Sequence, residues 1–235
     1  MSTPSHRVRT PFLVLLVCVL LLFSFLTRHP KWTLPCFGER VRGSGHAIDE
    51  TRTLGAFRHI RLKGSFDVEA EIGDHESVVV HADDNVAPLI RTELVDDTLV
   101  VDERPRLWID PRTRITVRIT TRAIEGVEDI GSGNLDLRGL KGGNLDLKLI
   151  GSGDIRGSGQ LDKLHAELVG SGDIKFGKVP SRRVDVILNG SGNASVQARD
   201  RLEVHLNGSG NILYSGHPAD VAGRVNGSGS LTQQD

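Results

Sequence analysis

Apolar and polar residues alternate along much of the chain after residue 60. In residues 66–72 (FDVEAEI) and 114–120 (RITVRIT), every second residue is apolar and the residues between them are polar or charged. This period of two is typical of strands that bury one face. Because no window shows a convincing helical period, the sequence predicts an all-β protein.

A Gly-Ser-Gly triplet divides the second half of the chain into similar units. It occurs in phase at 131–133, 151–153, 170–172, 190–192, 208–210 and 227–229, and out of phase at 157–159. The second, fourth and sixth residues before a triplet are mostly apolar, and a short polar residue, usually Asn or Asp, follows it. A repeat of about 19 residues built from strands alone is typical of a β-solenoid.

The repeat predicts which side chains meet in the core. Leu149, Leu168, Leu188 and Leu206 occupy equivalent positions and are expected to form an inward ladder with a spacing of ~4.8 Å. The Asn or Asp after each triplet is expected to bond its own backbone or to stack on its copies. An antiparallel β-meander is the alternative, because the Asn-Gly pairs at 189–190, 207–208 and 226–227 are also hairpin signals.

Two sets of residues resemble a known family, the putative auto-transporter adhesin, head GIN domain family. The first set is Gly43-Ser44-Gly45, residues 53–60 (TLGAFRHI), residues 78–85 (VVVHADDN) and residues 98–101 (TLVV); the second is the Gly-Ser-Gly-Asn/Asp repeats. Together they cover about residues 41–235. The resemblance implies a right-handed, parallel β-helix-like solenoid in a bacterial envelope protein, and it supplies no catalytic residues.

The N-terminal segment has the pattern of an export signal. Arg7 and Arg9 precede an uncharged apolar run at residues 12–26, which as a helix would span roughly 22 Å. Bulky and basic residues follow, with no small-residue cleavage site, and Trp32 suits a membrane interface. We therefore expect residues 1–40 to be a signal anchor or signal peptide. The remainder, 41–235, is expected to be one β-solenoid domain, with irregular strands at 41–130 and the triplet repeats at 131–235.

Composition argues against several functional classes. The 235 residues carry a formal net charge of -1 and only 4% aromatic residues, which argues against a nucleic-acid binder and a core rich in aromatics. The two cysteines, Cys18 and Cys36, precede the expected domain, so no disulfide can staple it. Its stability must come from strand pairing and burial.

Residues that could carry chemistry have simpler structural interpretations. The triplet serines lack the helix that follows the Ser of a hydrolase elbow. Calcium could be considered at residues 142–146 (GGNLD) or at Asp83-Asp84-Asn85, but the former lacks a full calcium-repeat pattern and the latter suits a solvated turn. His165 and His205 are expected to face solvent, two repeats apart. The outward acids Asp136, Asp146, Glu167, Asp185 and Glu203 are the carboxylates that a glycan-cleaving enzyme would need.

These observations predict a non-catalytic protein. No catalytic, cofactor-binding or metal-binding residue is assigned, and no cofactor is expected. The predicted function is an exported adhesion, scaffold or sensing module, anchored in the membrane and facing the periplasm or exterior, or else secreted after signal cleavage. The expected partners are a protein or glycan surface ligand, the membrane through the N-terminal segment, or further copies of the chain, and not nucleic acid. The alternatives are a glycan-processing β-helix enzyme and a calcium-binding repeat protein.

Overall fold

The computed structural model of the chain describes residues 39–234, and the residues from Glu39 onward form one compact unit. Of the described residues, 71% are in strands and 2% are in helix. The strands are β1 (Glu39–Arg42), β2 (Ala47–Arg52), β3 (His59–Gly64), β4 (Asp67–Ile72), β5 (Ser77–Asp83), β6 (Ile90–Val95), β7 (Thr98–Glu103), β8 (Leu107–Asp110), β9 (Thr116–Thr121), β10 (Gly126–Gly131), β11 (Leu135–Lys141), β12 (Asn144–Gly151), β13 (Asp154–Gly170), β14 (Asp173–Gly190), β15 (Asn193–Gly208), β16 (Asn211–Ser215), β17 (Asp220–Gly227) and β18 (Ser230–Gln233). One 3₁₀ turn, Ala87–Leu89, precedes β6.

Sixteen of the eighteen described strands form two walls that share the long strands β13, β14 and β15, and β1 and β8 pair in parallel as a separate two-stranded sheet. The first wall runs in the order β6-β7-β3-β10-β12-β13-β14-β15-β17, and the second in the order β2-β5-β9-β4-β11-β13-β14-β15-β16-β18. The triplets carry the chain from the first wall to the second along one edge, here called the triplet edge. The chain returns along the opposite edge, here called the turn edge, at residues 141–144, 160–163, 177–183 and 197–201.

The repeat region pairs in parallel and in phase. Gly131, Gly151, Gly170, Gly190, Gly208 and Gly227 are successive partners along the first wall. This arrangement confirms the predicted parallel β-solenoid and excludes an antiparallel meander. Among the described residues, antiparallel pairing occurs only where β2, β5 and β6 cover the N-terminal end of the stack.

The order of the stack differs from the order of the chain at its N-terminal end. Strand β3 lies between β7 and β10, and β4 lies between β9 and β11. Gly64-Ser65-Phe66 therefore occupies the place of a triplet, with Gly64 paired to Gly131. The parallel stack thus begins earlier in the chain than the first Gly-Ser-Gly of the repeat.

Close backbone approach explains why the triplets need glycine. A Cβ at Gly192 would lie 1.9 Å from the carbonyl oxygen of Gly172 in the neighbouring turn. Gly190 has a φ of +146°, and a Cβ there would lie 2.1 Å from the carbonyl oxygen of Gly170. Since real Cβ atoms do not approach so closely, the triplet edge can stack only when these positions lack a side chain.

The predicted leucine ladder fills the core. Leu149, Leu168, Leu188 and Leu206 are each fully buried and are partners in successive turns of the first wall. Each contributes roughly 1.5–3 kcal/mol of apolar burial. The same row contains one exception, because Asp129 on β10 pairs with Leu62 on one side and Leu149 on the other.

Candidate functional site

A large concave surface lies on the turn edge. It is an open groove of about 830 Å³, which begins at β3 and the segment 122–125 before β10 and continues past β12 to β14. Its polar and charged lining comprises His59, Arg122, Glu125, Lys141, Asn144, Asp146, Lys163, His165 and Asp185. A groove with this lining can bind a polar ligand from the side of the stack without entering the core.

The turn between β11 and β12 forms the floor of this groove. Gly142 and Gly143 both have left-handed φ angles, +76° and +77°, which explains the paired glycines. The amide of Gly142 donates to the carbonyl of Gln160 at 2.8 Å, and the amide of Gly143 donates to the Asp162 carboxylate at 3.0 Å. The residues considered for calcium, 142–146, therefore form a tight turn and the start of a strand.

A second groove, of about 590 Å³, continues along the same edge. It is lined by Asn144, Asp162, Arg182, Arg183, Asp200 and Arg201, so Asn144 belongs to both grooves. Together the two grooves form one surface on the turn edge, here called the turn-edge groove.

Most of the acidic side chains of the turn-edge groove form salt bridges or hydrogen bonds with neighbouring residues. Glu125 pairs with Arg58 at 2.6 Å, Asp185 with His165 at 3.0 Å, and Asp200 with Arg182 at 3.1 Å. By contrast, Lys141, Lys163 and Arg183 are exposed and form no salt bridge within residues 39–234. The charges of this surface that are open to a ligand are therefore mainly positive.

The triplet serines have structural partners. Backbone amides of the serines bond to the glycine carbonyls of the preceding turn, as from Ser191 to Gly170 at 2.9 Å. The hydroxyls of Ser191 and Ser209 are 3.1 Å apart and bond to each other. This hydroxyl pair and the backbone bonds of the serines stabilise the triplet edge and give no indication of an activated nucleophile.

The polar residues that follow the triplets form the expected ladder. The side-chain amide of Asn193 donates to the carboxylate of Asp173 at 3.0 Å, and the side-chain amide of Asn211 donates to the side-chain oxygen of Asn193 at 3.2 Å. Lys175 bridges Asp154 and Asp173 at 2.6 and 3.2 Å. Although partial burial opposes the effect, the bonds from Asn193 and Lys175 lower the pKa of Asp173 below its ordinary value.

The cluster Asp83-Asp84-Asn85 fixes the start of the domain. Asp83 is fully buried and accepts bonds from the amides of Gly45, Arg112 and Thr113 at 2.8–3.1 Å and from the Thr113 hydroxyl at 2.8 Å. These bonds outweigh the effect of burial and lower the pKa of Asp83. Its carboxylate therefore has a structural role. Within residues 39–234, no group of three or more His, Cys, Asp or Glu side chains is placed to hold a metal ion.

The outward carboxylates lie on both walls. Asp136 is on the second wall and pairs with Arg138 at 2.7 Å. Asp146, Asp185 and Glu203 share one row of the first wall, with His165 between the first two. Glu167 pairs with Lys148 at 2.8 Å, and Glu203 pairs with Arg201 at 3.2 Å.

His205 lies 3.5 Å from Glu203 and is two turns away from His165. Both histidines are partly exposed, as the strand alternation predicts.

Two features of the first wall escaped the sequence interpretation. Asp129 is only 4% exposed, and burial raises its pKa to about 6. The other is a column of cations on the turn-edge groove, where Lys163, Arg183 and Arg201 are partners in successive turns. The column has a signal in the sequence, since each cation is the seventh residue before the first glycine of a triplet.

The family model for the putative auto-transporter adhesin, head GIN domain matches residues 56–218, well over half of the chain. The chain belongs to this head GIN domain family. No curated protein matches the sequence. The matched region of the head GIN domain protein includes β3 to β16, and thus the whole turn-edge groove.

Solved structures share the fold of this head GIN domain protein. A putative adhesin from Bacteroides fragilis NCTC 9343 aligns with a TM-score of 0.69 and 18% identity, covering 83% of this chain and 100% of its own. A putative lipid binding protein from Parabacteroides distasonis ATCC 8503 aligns with a TM-score of 0.58 and 22% identity, covering 84% and 100%. A putative adhesin from Parabacteroides merdae ATCC 43184 has a TM-score of 0.51 and 21% identity, covering 84% and 100%. At these identities the likeness concerns the fold.

Proposed function

We propose that this head GIN domain protein is an exported, non-catalytic adhesion, scaffold or sensing module of the bacterial cell envelope, with the turn-edge groove as its contact surface. The observation that carries the proposal is the groove itself, an open concave surface in which the exposed cations Lys141, Lys163 and Arg183 form no salt bridge within residues 39–234. Family membership supports an adhesin-like role. The internal bonds of the serines, of Asp83 and of the outward acids favour binding over catalysis.

An adhesion assay tests the contact surface. Beads coated with the full-length chain are washed under flow over immobilised neutral glycans, acidic glycans, proteins and lipid vesicles. Vesicles are included because one structural neighbour is described as a putative lipid binding protein. We expect retention on at least one of these surfaces.

A matched pair of variants locates the contact. Asn144→Trp places a bulky side chain where the two grooves meet, at an exposed residue. Arg156→Trp places the same side chain at an exposed position on the second wall. We expect the first variant to reduce bead retention and the second to leave it unchanged. Equal retention of the two variants on every surface would show that the turn-edge groove is not the contact surface.

Export depends on the N-terminal segment, of which residues 1–38 lie outside the described residues. No helix within residues 39–234 is long and apolar enough to cross a membrane. The proposal that residues 1–40 anchor the protein in a membrane rests on Arg7, Arg9 and the apolar run 12–26. We expect the protein to stay uncleaved in the membrane fraction, as N-terminal sequencing and intact mass would show. A soluble form beginning between residues 27 and 45 would replace the anchor with a cleaved signal peptide.

A further inference from the structure

We infer that the turn-edge groove binds an acidic glycan, a polysaccharide that carries carboxylate groups, through the cation column Lys163, Arg183 and Arg201. The inference rests on the proposed function and names the ligand chemistry of the same surface. The three side chains are exposed and belong to successive turns of the first wall. Strands in register lie ~4.8 Å apart, so the column presents positive charge at regular intervals along the groove.

The column is unfavourable for the fold on its own. Like charges on directly opposed residues of neighbouring strands repel each other. Arg201 is partly relieved by Glu203 at 3.2 Å and Asp220 at 3.5 Å. Lys163 and Arg183 have no such acid within residues 39–234, although other rows of the same wall pair opposite charges, as Lys148 does with Glu167. An anionic ligand would supply the missing negative charge.

The ends of the column set the size of its ligand. Asn144 precedes Lys163 in the row, and Asp220 follows Arg201. The positive stretch therefore spans three turns, which corresponds to roughly 10 Å between its outer members. A chain with two or three acidic groups fills this length, and a longer polymer can continue past Asn144 into the larger groove, where Lys141 is also exposed.

The remaining polar groups favour a sugar over a nucleic acid. The carboxylates of Asp162 and Asp200 lie among the cations of the smaller groove and can accept bonds from sugar hydroxyls. No Trp, Tyr or Phe lines either groove within the described residues, so bases would find no stacking platform.

Binding of the full-length chain to defined polymers tests the inference. Polygalacturonate provides a carboxylate on every sugar, dextran provides neutral sugars, and single-stranded DNA provides phosphates. We expect binding to polygalacturonate that weakens as salt is added, weaker binding to DNA and none to dextran. The double variant Lys163→Gln/Arg183→Gln should bind polygalacturonate about tenfold more weakly or worse, because it loses two charged contacts.

Arg156→Gln is the matched control. Arg156 is an exposed arginine on the second wall with no acid partner among the described residues, so its loss should leave binding unchanged. Unaltered circular dichroism would show that the double variant is folded. The inference is overturned if the double variant binds polygalacturonate like the parent, if dextran or DNA binds as tightly, or if polygalacturonate does not bind. Continued bead retention in the adhesion assay would then show that the proposed function stands with a different ligand.

Discussion

The carboxyl group of Asp129 gives the sharpest test of the packing described above. It replaces a leucine in the inward row of the first wall, between Leu62 and Leu149, and is only 4% exposed. Burial raises its pKa from 3.8 to about 6. A difference of about two pKa units corresponds to ~3 kcal/mol by which the folded protein disfavours the ionised form.

This shift determines how stability depends on pH. Between pH 3.8 and about 6, the folded protein holds a proton on Asp129 that the unfolded chain has already released. The free energy of unfolding therefore falls as pH rises through this window, and the loss is complete above about pH 6. Asp67, Asp83 and Asp173 have lowered pKa values and act in the opposite direction, mainly below pH 4.

Two substitutions separate the charge of Asp129 from its shape. Asp129→Asn removes the charge and should stabilise the protein by up to ~3 kcal/mol at pH 7.5, and by almost nothing at pH 3.5. Asp129→Leu should stabilise the protein by a further ~1.5–3 kcal/mol beyond Asp129→Asn at both pH values, because it completes the apolar row as well as removing the charge. Since each comparison is made with the parent at the same pH, the other titrating groups cancel.

Urea unfolding monitored by far-UV circular dichroism measures these differences. The essential result is how much Asp129→Asn raises the free energy of unfolding above that of the parent at each pH. If this increase is the same at pH 3.5 and pH 7.5, burial does not disfavour the ionised carboxylate, and the prediction is wrong. Destabilisation by Asp129→Leu at pH 7.5 would show that the row has no room for a leucine at this position.

Three further predictions concern the stack. Leu188→Asp should lower the free energy of unfolding by more than about 4 kcal/mol, because it buries an unpaired charge. Asp185→Lys changes a half-exposed residue and should lower it by less than about 1 kcal/mol. Equal denaturation midpoints of the two variants would show that the strand phase is wrong. Gly192→Ala should lower the thermal midpoint, because its Cβ would meet the Gly172 carbonyl at 1.9 Å; an unchanged midpoint would contradict the stacking at the triplet edge. Asp83→Ala should lower the free energy of unfolding by at least ~2 kcal/mol, because it leaves backbone amides without an acceptor. Proteolysis within residues 39–46 should also become faster, and an unchanged cleavage rate would refute the structural role of Asp83.

The repeat could be predicted because each unit repeats the same constraint. A glycine at Gly190 and a leucine at Leu188 recur in phase, and only an in-phase stack satisfies both. The position of β3 could not be predicted in this way, because the third residue of its triplet is Phe66 and its partners are distant in the chain. A long-range pairing of this kind leaves no local pattern in the sequence.

The candidate site was harder to predict than the fold. The exposed positions on the turn edge have no hydrophobic period to reveal them, and Lys163 and Arg183 become neighbours only once the register is known. Asp129 was missed for the opposite reason, because it occupies a position where the pattern calls for an apolar residue. Asp129 departs from the apolar pattern, whereas the cations lie in phase with the repeat at polar positions, so the apolar pattern that predicts the fold reveals neither feature.

The position of β3 in the stack has a consequence for the time course of folding. As the chain emerges from the ribosome, β3 is complete at Gly64, but its neighbours begin only at Thr98 and Gly126. Each later turn finds its neighbour about 19 residues back, so the C-terminal repeats have low contact order and the N-terminal end has a high one. We expect nucleation within the repeats, followed by slow closure of the N-terminal end. The edges of β3 are then the surfaces exposed longest to aggregation during synthesis.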